Sequence, residues 1–151
     1  MYVSDILRVK GHALFTVAPD MRLIDAVHTM VDHEIGSLIV MEQGRLAGML
    51  TFHEILCLLH ASRGNLGDTT VRDVMDGHPL ACSPDTGMDD VRRMMVDNHV
   101  RYLPVMDGST LMGVISFFDI AKTVVEQQGF ENKMLKAYIR DWQGDDREAA
   151  D

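Results

Sequence analysis

Hydrophobic and polar positions follow the same succession of patterns twice along the chain. Thr16-Val17 and Ala81-Cys82 are short apolar steps, and a proline follows each of them. Such a step predicts a brief strand that ends in a turn. An amphipathic helix is predicted next in each copy, because apolar residues recur there at helical spacing. These residues are Leu23, Ala26, Val27, Met30 and Val31 in the first copy and Met88, Val91, Met95 and Val96 in the second.

Two apolar runs joined by a glycine-containing loop complete each copy and predict a β-hairpin. The runs are Ser37–Met41 and Leu46–Leu50 in the first copy, and Tyr102–Met106 and Leu111–Ile115 in the second. A helix is expected to begin directly after each hairpin, at Thr51 and at Ser116. Both are good N-cap residues, because their hydroxyl oxygen can accept a hydrogen bond from an otherwise unpaired N–H of the first turn.

These parallels make up one internal repeat. Residues Thr16–Ile55 align with Ala81–Ile120 at a constant offset of 65 and without a gap. The identical pairs include Pro19 and Pro84, Asp25 and Asp90, Met30 and Met95, Leu38 and Leu103, and Gly48 and Gly113. A unit of about 60 residues is marginal alone, so the two copies are expected to share a core. We therefore predict an α+β fold in which two β-α-β-β-α repeats pack as a pseudo-two-fold module, with a C-terminal helix.

The predicted organisation has five parts: repeat 1 at 1–60, a linker at 61–70, repeat 2 at 71–128, an amphipathic helix at 129–143 and a flexible tail at 144–151. The C-terminal helix carries an apolar stripe at helical spacing. Its members are Phe130, Met134, Leu135, Tyr138, Ile139 and Trp142. The stripe either packs on its own module or forms a contact with a second chain or a partner.

Charge and composition narrow the function classes. The 151 residues contain 14 Lys and Arg against 23 Asp and Glu, which gives a net charge of −9. This balance argues against binding to nucleic acid and against adhesion to an anionic membrane, because both need many cations. No segment approaches the roughly 20 apolar residues that span a bilayer, and no signal peptide is predicted. We therefore expect a cytoplasmic protein without a nucleic-acid or membrane partner.

Chemistry-bearing side chains form no recognisable catalytic or metal motif. Cys57 and Cys82 make no CxxC pair and are expected to be reduced, buried side chains. The seven histidines lack metal-ligand spacing, and no nucleophile and base occur in a known arrangement. The sequence therefore predicts no metal, no catalytic residue and no catalytic cofactor.

Two segments resemble the Gly-h-x-Ser/Thr-x-x-Asp signature of CBS domains. They are Gly48-Met49-Leu50-Thr51-Phe52-His53-Glu54 and Gly113-Val114-Ile115-Ser116-Phe117-Phe118-Asp119. Val71-Arg72-Asp73-Val74-Met75 resembles the lead-in to a CBS repeat, and Arg101-Tyr102-Leu103-Pro104-Val105 resembles its second strand. The resemblance implies a tandem CBS pair, similar to small stand-alone bacterial CBS proteins. It also implies that adenosine-containing ligands bind in clefts between the repeats and that the module forms dimers.

The signature also has a physical reason of its own. Thr51 and Ser116 lie where a strand ends and a helix begins, so a phosphate could accept from their hydroxyls and from unpaired amides of the first turn. A carboxylate three residues later, at Glu54 or Asp119, can accept from the ribose hydroxyls. The same spacing also forms a plain capping box. Gly48 and Gly113 are expected to allow close backbone approach inside their strands.

The two predicted sites are not equivalent. Glu54 is one methylene longer than the aspartate of the family signature, so we rank the Ser116/Asp119 site as the more standard one. The Thr51/Glu54 site is altered, binds a different ligand or is empty. His53, at a position where several relatives carry Arg, could approach a phosphate.

By the resemblance, adenine lies between the first strand of a repeat and the edge of the same repeat's hairpin. The first predicted site therefore comprises Thr16, Val17, Ala18, Ile35, Gly36, Ser37, Leu38, Thr51, His53 and Glu54. The second comprises Ala81, Cys82, Ser83, Val100, Arg101, Tyr102, Leu103, Pro104, Ser116 and Asp119. Arg101 is either a phosphate contact or a solvated surface arginine.

The leading hypothesis is a non-enzymatic regulatory module that binds AMP, ADP or ATP, with S-adenosylmethionine or NADH as further candidates. The ligand would favour one packing of the repeats, or of two chains in a homodimer, and an effector protein would respond to the difference. The alternative is a scaffold of the same fold for dimerisation or partner docking, with one or both clefts vestigial. An enzyme acting on nucleotides is least favoured, because no general base or metal cluster is apparent.

Overall fold

The computed structural model describes residues 1–11 and 13–150, except for the side chains of residues 130, 138 and 141–150. One compact unit extends from Met1 to Phe117, and a second begins at Phe118. The elements are α1 (Val3–Lys10), β1 (Thr16–Val17), α2 (Leu23–Asp32), β2 (Ser37–Glu42), β3 (Arg45–Thr51), α3 (Phe52–Ala61), α4 (Val71–Val74), α5 (Met88–Asn98), β4 (Tyr102–Asp107), β5 (Thr110–Ser116) and α6 (Phe117–Ala150). This order confirms the predicted α+β fold and its repeat.

Each copy builds its own sheet, and the two sheets have corresponding strand pairings. In the first copy β1 pairs in parallel with β2, and β2 pairs antiparallel with β3. In the second copy β4 pairs antiparallel with β5, and a single parallel bridge from Cys82 to Val105 takes the place of β1. Both hairpins shift register at the same point, after Val40 and after Val105. The structural correspondence at the offset of 65 therefore includes the register shifts of the strands.

Each copy buries the same positions in its core. Val31 and Val96, at the ends of the predicted helical stripes, are 68% and 61% exposed, so the prediction is wrong for these two residues. The positions that are buried in both copies follow amphipathic periodicity. They are Leu23, Ala26, Met30, Leu38, Val40 and Leu50 in the first copy and Met88, Val91, Met95, Leu103, Val105 and Ile115 in the second.

The lead helix of each repeat packs on the other repeat. Val71, the first residue of α4, is fully buried in the core of the first repeat. Its N–H donates to the carbonyl of Met21 at 2.9 Å, and the N–H of Arg72 donates to the carbonyl of Pro19 at 2.9 Å. Hence the second repeat cannot leave the first without opening the core of the first.

The N-terminal helix makes the matching exchange. The N–H of Val3 donates to the carbonyl of Thr86 at 2.9 Å, and that of Ser4 donates to the carbonyl of Pro84 at 3.0 Å. Val3 is fully buried, as Val71 is. Since Pro84 is the repeat counterpart of Pro19, α1 and α4 occupy equivalent places on opposite repeats.

Polar bonds fix the short helix α4. The backbone N–H and the hydroxyl of Thr70 donate to Asp73 at 3.0 and 3.1 Å, and these bonds lower the pKa of the Asp73 carboxyl. Arg72 donates to the Glu42 carboxylate and lies 3.6 Å from that of Asp20. The hydrogen bond that Arg72 donates to Glu42 is the main cause that raises the pKa of Arg72.

Gly48 permits a close backbone approach, as predicted, whereas a Cβ at Gly113 would lie 2.8 Å from Cδ2 of Leu7 and would have side-chain atoms rather than backbone as its nearest neighbours. Met49, beside Gly48, exchanges backbone hydrogen bonds of 3.0 and 2.9 Å with Asp76. A Cβ at position 48 would overlap the carbonyl oxygen of Asp76 and would lie 3.1 Å from the sulfur of Met75. The connection into the second repeat therefore lies directly against β3.

The C-terminal part differs from the prediction. A separate helix at 129–143 and a flexible tail at 144–151 were expected, but α6 is continuous from Phe117 to Ala150. Glycine inside a helix costs only about 1 kcal/mol, so Gly129 and Gly144 do not end it. Within the predicted stripe, Met134, Leu135 and Ile139 are exposed, whereas the side chains of Phe130, Tyr138 and Trp142 lie outside the described part. No described helix combines the length and hydropathy of a membrane span.

The two cysteines differ, although both were expected to be buried. Cys57 is exposed, because none of the residues of α3 is buried. Its sulfur lies 3.7 Å from Nε2 of His53. Cys82 is buried at the core position equivalent to Val17, and burial raises the pKa of its thiol to about 11.

Replacing Val71 by Ala tests the exchange of lead helices. Losing two buried methyl groups and leaving a cavity should lower the free energy of unfolding by about 2 kcal/mol. Val9→Ala is the matched control, because Val9 is 89% exposed on α1, and it should change stability by less than about 0.5 kcal/mol. Urea unfolding followed by circular dichroism measures both. Equal effects would contradict the placement of α4 in the first core.

Thiol labelling tests the burial of the cysteines. At pH 8 the folded protein should release one equivalent of chromophore from a disulfide reagent rapidly, and Cys57→Ser should remove that phase. Cys82 should react only on unfolding, because the thiolate is the reactive form and burial disfavours it. Since the folded pKa of Cys82 lies above the unfolded value, its contribution to stability is complete below the unfolded pKa of 9.0 and is lost as pH rises to about 11. Rapid labelling of Cys82 in the Cys57→Ser protein would contradict this placement.

Candidate functional site

Two clefts lie within the unit Met1–Phe117, and the repeat relates one to the other. Their volumes are about 330 and 320 Å³, at the lower end of the range for ligand pockets. We define the first cleft as the one that contains Thr51 and the second as the one that contains Ser116. Seven lining positions match at the offset of 65: Met49, Thr51, Pro79, Leu80, Val100, Arg101 and Tyr102 in the first, and Val114, Ser116, Leu14, Phe15, Ile35, Gly36 and Ser37 in the second.

Both repeats contribute to each cleft. The end of β3 and the start of α3 face the segments before β4 across the first cleft, whose remaining residues are Phe52, His53, Glu54, Leu56, Asp76 and His99. The end of β5 faces the segments before β1 and β2 across the second cleft, whose remaining residues are Lys10, Ala13, Ile39 and Tyr102. A ligand in either cleft would therefore touch both repeats.

A sharp exit from the preceding helix directs the chain into each cleft. Glu34 after α2 and His99 after α5 both have a left-handed φ of 53°. The next residues, Ile35 and Val100, donate their N–H to the carbonyl five residues earlier, at 3.0 and 3.1 Å. This is the closure that commonly ends a helix and reverses its direction.

The helix that follows the hairpin holds the other end of the same segment. The N–H of Phe52 donates to the carbonyl of Gly36 at 3.3 Å, and the N–H of Phe117 donates to that of Arg101 at 2.7 Å. Residues 35–37 and 100–102 are thus tied at both ends. The walls of the clefts are set by backbone bonds rather than by side chains.

The start of α3 forms a complete capping box. The Thr51 hydroxyl accepts from the N–H of His53 at 3.2 Å, and Glu54 accepts from the Thr51 N–H at 3.0 Å and from its hydroxyl. The Glu54 N–H also bonds to the Thr51 side chain. The prediction that first-turn amides are unpaired here is therefore wrong, because Phe52, His53 and Glu54 all have acceptors. Among the described lining residues, Arg101 is the cation that remains for an anion at this cleft.

Charge distinguishes the two clefts. The first contains Arg101 and the imidazoles of His53 and His99, together with the carboxylates of Glu54 and Asp76. Lys10 is the one charged residue among the described lining residues of the second cleft, and its ammonium donates to the carbonyl of Val114 at 2.9 Å. The first cleft is thus suited to an anion that also carries hydroxyl groups, because carboxylates can accept from those hydroxyls.

The structure regroups the predicted site residues. Ile35, Gly36 and Ser37 were assigned to the site of Thr51 but line the second cleft with Ser116. Val100, Arg101 and Tyr102 were assigned to the site of Ser116 but line the first cleft with Thr51, His53 and Glu54. The reason is the pseudo-two-fold packing, which places the start of one hairpin opposite the end of the other repeat's hairpin.

Nine other predicted site residues are absent from the described lining of both clefts. They are Thr16, Val17, Ala18, Leu38, Ala81, Cys82, Ser83, Leu103 and Pro104. The expected slot for adenine is filled by sheet bonds, because Val17 pairs with Val40 and the N–H of Cys82 donates to the carbonyl of Pro104 at 3.0 Å. Asp119 lies in the first turn of α6, in the second unit, and its carbonyl accepts from the hydroxyl of Thr123 at 2.9 Å.

Sequence reasoning missed the residues just before the first strand of each repeat. These are Leu14 and Phe15 in the second cleft and Pro79 and Leu80 in the first. The offset of 65 pairs them, so the repeat contained a signal for them that begins two residues before the aligned block. His99 and Asp76 had no such signal. Within the described residues, no three His, Cys, Asp or Glu side chains lie close enough to hold a metal ion.

Comparison with known proteins agrees with this architecture. The CBS domain model matches residues 3–61 and 71–126. The chain is 33% identical over 106 residues to the CBS domain-containing protein YhcV of Bacillus subtilis, which covers 70% of this chain and 75% of that protein.

Two solved structures with related folds contain ligands. One is the CBS domain pair of protein MJ0100 in complex with 5′-methylthioadenosine and S-adenosyl-L-methionine, with a TM-score of 0.73, 21% identity and coverage of 84% of this chain and 98% of that chain. The other is CBSX2 in complex with AMP, with a TM-score of 0.70, 23% identity and coverage of 84% and 98%. Sequence repeat, fold and family model agree, and the chain belongs to the CBS-domain family as a tandem pair.

Proposed function

We propose that this protein is a non-enzymatic regulatory module that binds an adenosine-containing ligand in the clefts between its repeats. The observation that carries the proposal is the pair of matching clefts, each walled by both repeats. A ligand that contacts both walls stabilises one arrangement of the repeats over another, provided that its affinities for the two arrangements differ. An effector protein responds to that difference.

The ligand class is supported by related folds. AMP is bound in CBSX2, and S-adenosyl-L-methionine and 5′-methylthioadenosine in MJ0100. AMP is the first candidate here, because the first cleft offers Arg101 for a phosphate and Glu54 and Asp76 for hydroxyl groups. ADP, ATP, S-adenosylmethionine and NADH share the adenosine part and are the further candidates. Apolar lining at Met49, Leu80 and elsewhere provides surface for the base.

We also propose a cytoplasmic homodimer. On α3, Phe52 and Leu56 are 52% and 63% exposed, and on α6, Phe118 and Val125 are 73% and 65% exposed. Large apolar side chains of this kind are typical anchors of an interface when they cluster on one element. The acidic charge of −9 supports a partner that is neither a nucleic acid nor an anionic membrane.

One observation favours the scaffold as a second candidate. The Thr51 hydroxyl and the Glu54 carboxylate already bond to each other in the capping box. A ligand that uses them must break those bonds, which lowers its net affinity. A protein that only dimerises or docks a partner has no need to keep them available.

Replacing Arg101 by Ala tests the phosphate contact. A charge-assisted hydrogen bond contributes about 1.5–3 kcal/mol, so AMP should bind roughly ten- to a hundredfold more weakly to the first cleft. Binding of 5′-methylthioadenosine, which has no phosphate, should change by less than about threefold. Isothermal titration calorimetry measures both ligands against wild type, with ADP, ATP, S-adenosylmethionine and NADH as additional titrants.

Arg45→Ala is the control for a change of net charge, because Arg45 begins β3 on the exposed hairpin and lines neither cleft. No heat with any titrant at millimolar concentration would exclude the sensor and leave the scaffold. Equal losses for AMP and 5′-methylthioadenosine would remove Arg101 from the phosphate site.

The sequence ranking of the two carboxylates gives a separate test. The sequence ranking predicts that Asp119→Ala weakens AMP binding more than Glu54→Ala, because Asp119 matches the family signature, whereas the lining of the first cleft, which contains Glu54, predicts the reverse. The difference should be at least about fivefold, within the range of a hydrogen bond to a charged group. Calorimetry on both variants, with unfolding curves to correct for stability, provides the comparison. Equal losses would overturn the ranking.

A further inference from the structure

Tyr102 belongs to both clefts. It stands at the start of β4, and among the described lining residues it is the one that the two clefts have in common. Its backbone position is set by pairing with Ser116 across the hairpin. The side chain therefore forms a wall between two neighbouring cavities.

Gly36 marks the far side of that wall. A Cβ at position 36 would overlap the hydroxyl oxygen of Tyr102 and would lie 2.5 Å from Cε2 of Phe52. Gly36 lines the second cleft and Phe52 lines the first. The phenol thus lies against the backbone of the opposite repeat, with no room to move further toward Gly36.

The wall formed by Tyr102 and Gly36 has no equivalent at the corresponding positions of the other repeat. The counterpart of Tyr102 is Ser37, and the counterpart of Gly36 is Arg101. A large aromatic residue opposite a glycine therefore occurs on one side of the pseudo-two-fold and a small hydroxyl residue opposite an arginine on the other. The shared wall is a feature that the repeat pattern does not supply.

We propose that Tyr102 couples the two clefts, so that occupancy of one lowers the affinity of the other. The inference rests on the proposed function and adds how its two sites influence each other. Close packing on the Gly36 side means that the phenol yields space to one ligand only by moving into the other cleft. Space gained by one cleft is lost by its neighbour, and by linkage the effect is reciprocal.

A titration with AMP tests the coupling. Wild type should bind two molecules with affinities at least about tenfold apart, or one molecule only, since couplings of about 5- to 150-fold are typical. Tyr102→Ser, which installs the residue of the counterpart position, should narrow the gap by about tenfold or raise the stoichiometry from one to two. Tyr102→Phe keeps the ring and should retain the affinity gap, and Arg45→Ala, which lines neither cleft, should leave AMP binding unchanged. Tyr102→Val is a second truncation that suits a strand, and circular dichroism verifies the fold of each variant.

A second readout follows the ring itself. In protein labelled with 3-fluorotyrosine, the resonance that Tyr102→Phe removes should shift during AMP binding both in wild type and in Arg101→Ala, where the first cleft is weakened. If AMP binds but both truncations leave the affinity gap and the stoichiometry unchanged, the coupling is overturned and the proposed function stands. Absence of AMP binding in every variant overturns the proposed function, and the coupling with it.

Discussion

The exchange of lead helices is the interaction on which the rest of the structure depends. Val71 begins the second repeat but completes the core of the first, and Val3 makes the matching exchange. Backbone hydrogen bonds fix both exchanges, so they do not depend on the identity of surface side chains. Each repeat is too small to bury enough apolar surface alone, and each obtains the missing part from its neighbour. The relation between the repeats is therefore part of folding.

This exchange explains why the clefts combine residues from both repeats. Once the lead helices cross over, the start of each hairpin faces the end of the other repeat's hairpin. The bonds from Phe52 to Gly36 and from Phe117 to Arg101 then hold the walls in place. A ligand between such walls acts on the contact between two folding units, which is where a small molecule can shift a balance of packings.

Periodicity predicted the elements well and the grouping of site residues poorly. The buried residues of α2, α5 and both hairpins come from the predicted apolar positions, because burial of one face is what creates the pattern, although Val31 and Val96 are exposed. The pattern says nothing about which copy faces which, so Ile35 and Val100 were assigned to the wrong partners. Cys57 was misjudged for a related reason, since an apolar helix predicts a covered face but not what covers it. At Gly129 a new helix was predicted to begin, but α6 continues through this residue, because a long helix tolerates one glycine.

The two clefts combine matching geometry with unlike chemistry. Arg101, His53 and His99 give the first cleft three groups that can meet an anion, whereas Lys10 of the second already donates to a backbone carbonyl. The capping box at Thr51 adds a cost at the first cleft, because a ligand there must compete with bonds that the protein makes itself. The first cleft thus favours a ligand whose phosphate offsets that cost by electrostatic attraction. The second favours one held by shape and apolar contact. A pair of repeats that kept its backbone while its side chains diverged would respond to two ligands, or to one ligand over two concentration ranges.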